Sequence, residues 1–157
     1  MSDHNSYLDK AFEIAFRGIR NNVGGPFGAV IVKDGKIIGS GCNSVTSSND
    51  PTAHAEVTAI RDACRNTNSY DLSGAVIYST CEPCPMCFSA IYWANIKTVY
   101  FCSTRFDAAG IGFRDNHIYE EMEVPLPERT VPFLHIDNPQ ASELFREWFQ
   151  KQDKTLY

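Results

Sequence analysis

The chain has 157 residues, 43% of them hydrophobic and 21% charged, the proportions of one soluble globular domain rather than of a disordered or collagen-like chain. A domain near this size buries roughly 70% of its unfolded surface, so its core needs no disulfide staples. Lys and Arg number 14 against 19 Asp and Glu, a formal charge of −5, which argues against a protein built to grip a phosphate backbone.

Taken in chain order, Leu8, Phe12, Ala15, Phe16 and Ile19 recur at helical spacing and predict an amphipathic helix from about His4 to Arg20. Asn21 to Pro26 breaks it, and Phe27-Gly28-Ala29-Val30-Ile31-Val32 reads as a strand. Asp34-Gly35 before Lys36-Ile37-Ile38-Gly39-Ser40-Gly41 is a short-range hairpin signal. Asn49-Asp50-Pro51-Thr52 marks a helix start, with a helix expected over about Ala53 to Arg65 and Val57, Ile60 and Cys64 turned inward. Ala75–Ser79 is a predicted strand, Pro85–Trp93 a helix and Thr98–Cys102 a strand. Short helices and loops are expected over 103–130, and a last strand over Val131–Ile136. Asn138-Pro139 then opens a helix with Ala141, Leu144, Phe145, Trp148 and Phe149 on one stripe. A hairpin followed by alternating helices and strands predicts an α/β fold, a sandwich of helices around a mixed five-stranded sheet. No repeat or linker divides the chain, so residues 1–157 are expected to form a single domain.

No apolar run approaches the roughly 18 residues of a membrane span. The first residues lack the cationic start and apolar core of a signal peptide, so a cytoplasmic protein away from membranes is expected. In that compartment the six cysteines are thiols or metal ligands rather than bridges. Cys42, Cys64 and Cys102 read as core thiols, and three others crowd into Cys81 to Cys87.

That crowding carries the sharpest signal. His54-Ala55-Glu56 and Glu82-Pro83-Cys84-Pro85-Met86-Cys87 each open a predicted helix. One imidazole and two thiolates suit Zn²⁺, and a helix start favours the thiolate form. Cys84 and Cys87 are one turn apart and can face one ion; three protein ligands leave a fourth position for water, the catalytic pattern. Glu56 does not share a helical face with His54. The two converge only if the metal lies over the helix start, where Glu56 can take a proton from an activated water. Other readings stand beside this one: a capping His or Glu, a redox Cys-x-x-Cys, or a closed structural zinc with Cys81 as fourth ligand and no catalysis. The joint spacing H-x-E and P-C-x-x-C is that of zinc nucleobase deaminases.

On these segments, with Gly24–Val32, Asn49–Arg61 and Ala90–Ala94, the chain resembles the cytidine-deaminase-like superfamily, and within it the short bacterial guanine deaminases. The resemblance implies a three-layer α/β/α sandwich, with His54, Cys84 and Cys87 holding one Zn²⁺ and Glu56 as proton shuttle. It implies hydrolysis of guanine to xanthine and ammonia, by attack of a zinc-activated water on C2. Asn43 matches a position at the purine edge, Phe27 and Trp93 match apolar walls, and Asp115 matches an acid that meets the N–H donors of guanine. Where the family often reads Gly-Phe-Asp-Asp, this chain has Gly112-Phe113-Arg114-Asp115. Tyr157 resembles a C-terminal tyrosine of a tail lid over about 138–157. The family also implies a homodimer, with that tail exchanged between subunits. The same chemistry on guanosine, cytosine, an ammeline-type triazine or tRNA adenosine is the alternative, and the acidic charge weighs against RNA.

Overall fold

The computed structural model describes residues 4–157, in two compact units divided after Ile118. The division falls ahead of residue 138, where the sequence placed the start of a tail. In the first unit, α1 (His4–Arg20) leads to β1 (Gly28–Lys33) and β2 (Lys36–Cys42). Asp34 and Gly35 join them with φ of 51° and 74°, the two positive values of a type I′ hairpin turn. A one-turn helix α2 (Val45–Ser48), absent from the sequence reading, precedes α3 (Ala55–Thr67). Then come β3 (Val76–Cys81), α4 (Pro85–Trp93), β4 (Thr98–Ser103) and α5 (Arg105–Gly110). Asn49 and Asn68 cap α2 and α3 in the left-handed region, which asparagine tolerates better than most residues.

The sheet order is β2-β1-β3-β4, with β1 antiparallel to both neighbours and β3 parallel to β4. Alternation along β1 and β3 separates two cores. Ala29, Ile31 and Ile77 pack with Ala55, Ala59, Ala63 of α3 and Ile91 of α4. Val30, Val32 and Tyr78 on the opposite face meet Tyr7, Leu8 and Ile14 of α1. The result is the expected α/β/α sandwich around a mixed sheet.

Which residues make the closest approach differs from the expectation. On α1 the buried positions are Ala11, Ala15 and Gly18, while Phe16 is half exposed. On α3 the fully buried stripe is Ala55, Ala59 and Ala63, beside a buried Val57; Ile60 and Cys64 are only partly buried. The reason is steric. A Cβ at Gly28 would lie 2.2 Å from the Ala11 carbonyl, and one at Gly41 would lie 2.5 Å from that of Ala55. Helices seated so close to strand backbone leave room only for small side chains.

Two further expectations are corrected. Among the described residues the sheet has four strands, not five: Val131–Ile136 forms no strand. Pro132 removes a ladder donor there, and Val131, Phe133, Leu134 and Ile136 are exposed rather than alternating. Cys102 is no core thiol but exposed, on the edge strand β4 whose Tyr100 and Phe101, on opposite faces, are also exposed; Cys42 and Cys64 are half-buried. All six cysteines are free thiols.

α6 (Asp115–Glu123) begins in the first unit. The second unit, Tyr119–Tyr157, contains a short 3-10 turn, Leu126–Glu128, and the helix α7 (Pro139–Gln150). Asn138 caps α7, its side-chain oxygen accepting from Gln140 N at 2.9 Å, with Pro139 at the first position. None of the described helices is long and apolar enough to cross a membrane.

Candidate active site

The loop ahead of α3 is tied before it reaches the site. Asp50 Oδ1 accepts from Thr52 N at 2.8 Å and from its hydroxyl at 2.7 Å, and His54 N donates to Thr52 O at 2.8 Å. His54 is the N-cap of α3, with extended φ −68° and ψ 157°. Its ring is therefore not bound by helical spacing, which is how it converges with Glu56 two residues on. Cys84 occupies the same place at the start of α4, with φ −66° and ψ 169°, Pro85 following and Cys87 one turn further.

Cys84 Sγ lies 3.5 Å from His54 Nδ1, Cys87 Sγ lies 3.6 Å from the same atom, and the two sulfurs are 3.6 Å apart. Tetrahedral bonds of ~2.3 Å to sulfur and ~2.0–2.1 Å to nitrogen place S···S near ~3.8 Å and S···N near ~3.6 Å. The donor triangle therefore fits a single Zn²⁺ ion, and His54, Cys84 and Cys87 are the group among the described residues that can hold one. Cys81 stands outside it, with its sulfur 3.6 Å from the Thr104 carbonyl, so the closed four-ligand reading loses its fourth ligand. A hydrogen bond from Cys87 Sγ, joined by the His54 ring, brings the Cys84 thiol down to about 4. The same contact and burial push the Cys87 thiol up.

Glu56, in the first turn of α3, is buried to 5% exposure. Its Oε1 accepts from Ser79 Oγ at 3.0 Å, and its Oε2 lies 3.3 Å from Cys87 Sγ. Burial raises its pKa above the ordinary carboxylate value. A carboxyl in this position beside a metal-ligand group is suited to taking up and releasing a proton.

These groups face a cavity of about 630 Å³ whose lining also includes Phe27, Asn43, Phe113 and Asp115. Phe27 and Phe113 meet edge to face, with centroids 4.7 Å apart and planes at 82°. Asn43 is buried, and its Oδ1 accepts from Gly25 N at 3.0 Å and Val45 N at 3.3 Å. With its oxygen so occupied, the amide NH₂ is left as the group to address a ligand. Gly24 is needed for this approach, since a Cβ there would lie 2.4 Å from the Asn43 carbonyl oxygen. Cys81 also lines the cavity, its thiol pushed up to about 11 by burial and then by Glu56 and Asp115. Glu82, between the metal-binding segments, turns its carboxylate to Arg105 N at 3.0 Å and so anchors the start of α5.

Of the residues singled out in the sequence, His54, Glu56, Cys84, Asn43, Phe27 and Asp115 line this cavity, with Cys87 behind Cys84. Trp93 does not; it ends α4 with 66% of its surface exposed. Tyr157 belongs to the second unit and is exposed. Phe113, Ser79 and Gly24 were missed. Ser79 had a weak signal, a hydroxyl ending the predicted strand Ala75–Ser79.

The zinc-binding region of cytidine and deoxycytidylate deaminases matches residues 1–103. The chain belongs to that family. It is a zinc-dependent hydrolytic deaminase. A guanine deaminase of Bacillus subtilis (strain 168) is 48% identical over 155 residues, covering 99% of each chain. The crystal structure of the Bacillus subtilis guanine deaminase superposes with a TM-score of 0.96 over 99% of both chains. A tRNA-specific adenosine deaminase of Aquifex aeolicus is 38% identical over 126 residues, 80% of this deaminase and 81% of that one. The guanine deaminase of Nitrosomonas europaea is 28% identical, with a TM-score of 0.66 over 69% of this chain and 63% of its own.

Proposed function

We propose that this deaminase hydrolyses guanine to xanthine and ammonia. The observation that carries the reading is one cavity holding the His54, Cys84, Cys87 group, the Glu56 carboxyl, the Asn43 amide and the Asp115 carboxylate. The choice of guanine is supported by 48% identity to a guanine deaminase over nearly the whole chain. Held by His54, Cys84 and Cys87, Zn²⁺ supplies the Lewis acidity that makes water a nucleophile near neutral pH. Of the two protons of the attacking water, Glu56 moves one through Oε2 to ring N3 and the other to the amino group leaving C2, so that the C2–N bond breaks, ammonia departs and a carbonyl remains. The Asn43 NH₂ meets an acceptor on the ring, and the Asp115 carboxylate accepts from N–H donors on the guanine edge. Phe27 and Phe113 exclude water from the ring faces.

The tail, ending in Tyr157, is the lid over the bound base in this reading, and the protein acts in the cytoplasm, where its six free thiols stay reduced. It works as a homodimer. Support comes from large exposed apolar side chains: Phe88 and Tyr92 on α4, Tyr100 and Phe101 on β4, and Leu144, Phe145 and Phe149 on α7, more than a monomer ordinarily leaves in water. The second copy covers them, with the tail exchanged.

A second reading, deamination of adenosine in tRNA, draws on the 38% identity to the Aquifex aeolicus enzyme. Ammonia release by zinc-loaded protein from guanine, guanosine, cytosine, ammeline and a tRNA anticodon stem-loop separates them. Guanine is expected to be the preferred substrate by at least tenfold in kcat/KM. Turnover confined to the stem-loop, falling steeply with added salt, would replace the first reading by the second.

A further inference from the structure

We infer that Ser79 is a positioning residue for the proton shuttle, holding Glu56 by one oxygen so that the other faces the metal-ligand group. The inference rests on the proposed reading for the role of Glu56, and on geometry for the rest. Along β3, Ile77, Ser79 and Cys81 point to the side on which α3 and α4 pack, because side chains alternate and Ile77 lies in the core beneath α3. Ser79 is fully buried there, at a position where an aliphatic residue would add to the core. A hydroxyl in such a place must be paired. Its Oγ accepts from Cys81 N at 3.4 Å and donates to Glu56 Oε1 at 3.0 Å.

This chain of bonds sets the direction of each member. An N–H can only donate, so the Ser79 oxygen is the acceptor toward Cys81 and its proton goes to the carboxylate. Oε1 is thereby engaged from the sheet side, and Oε2, 3.3 Å from Cys87 Sγ, is the oxygen left to move protons. A carboxylate free to rotate would exchange the two oxygens and lose alignment with the leaving group, and alignment within tenths of an ångström is what positioned catalytic groups depend on.

The test compares zinc-loaded wild type, Ser79→Ala and Ser79→Thr. Loss of a hydrogen bond to a charged group predicts that kcat on guanine falls roughly tenfold to a hundredfold in Ser79→Ala with KM unchanged. Zinc content and melting temperature stay at wild-type values, and Ser79→Thr, which keeps the hydroxyl, recovers most of kcat. Crystal structures of the three proteins are expected to show the Glu56 carboxylate fixed in wild type and Ser79→Thr but rotated or in two positions in Ser79→Ala. An unmoved carboxylate in Ser79→Ala, kcat within twofold of wild type, or loss of zinc and melting temperature alongside activity would overturn the assignment. If wild type releases no ammonia from guanine, the substrate reading fails, and the carboxylate position in Ser79→Ala decides the role of Ser79 by itself.

Discussion

The paired helix starts of α3 and α4 and the tail helix α7 follow the same local rules and end differently. Each starts on a residue in extended conformation, His54, Cys84 or Asn138, and α3 and α7 are amphipathic while α4 is apolar almost all round. Around α3 and α4, the sheet and the opposing helix bury Glu56, Cys84, Cys87 and the alanine stripe almost completely. In Tyr119–Tyr157 no described residue is buried, and Phe145, Trp148 and Phe149 of α7 are exposed by 75%, 43% and 79%. Local sequence makes a helix; only a partner surface makes a core. The first region carries its partner surface within its own unit, and the second unit calls for one from elsewhere.

Replacing a ligand should separate the two regions most sharply. Cys84→Ser or Cys87→Ser is expected to abolish stoichiometric zinc by plasma mass spectrometry. Ammonia release should fall by more than about a thousandfold, given the roughly nine pKa units of water acidity that the ion supplies. α7 should be untouched, so helix content by circular dichroism changes little. Variants that keep one zinc per chain would break the assignment of the ligands.

Next in size is Gly24→Ala. The new Cβ would lie 2.4 Å from the carbonyl oxygen and 2.5 Å from Oδ1 of Asn43, and backbone cannot yield that far without moving the amide. Loss of that hydrogen bond predicts a rise in KM of about tenfold with zinc retained. An unchanged KM would remove Asn43 from substrate recognition.

Much of this first region could be read from residues alone, and the misses have a common cause. Asp34-Gly35 announced the hairpin, and H-x-E with P-C-x-x-C announced the metal group, because turn chemistry and ligand spacing are local. Ile60 and Cys64 do pack against the core, as expected, but the closest helix-to-strand contacts are made by alanines, and Phe16 is half exposed. Hydrophobic periodicity gives weight to large side chains, whereas the contact against Gly28, Gly39 and Gly41 selects alanine. The glycines were the available clue. The expected strand at Val131–Ile136 depended on a neighbour strand that sequence does not supply, and Pro132 argued against it. Ser79 and Phe113 acquire meaning only from what stands across the cavity.

The smallest effect is expected in the tail. Phe145→Ser with Phe149→Ser replaces exposed side chains and should move the stability of an isolated chain by no more than about 0.5 kcal/mol. If a second copy covers this face, sedimentation at micromolar concentration will show the wild type as dimer and the double variant as monomer. Identical sedimentation of the two would leave the apolar stripe without that role.

In the proposed reaction Glu56 moves the proton while other residues hold the zinc. Glu56→Gln keeps the size and the hydrogen bond to Ser79 while removing the basic oxygen. One zinc per chain, an unchanged fold and ammonia release from guanine lowered by roughly a hundredfold to ten-thousandfold are expected. Turnover near the wild-type rate with zinc in place would contradict it.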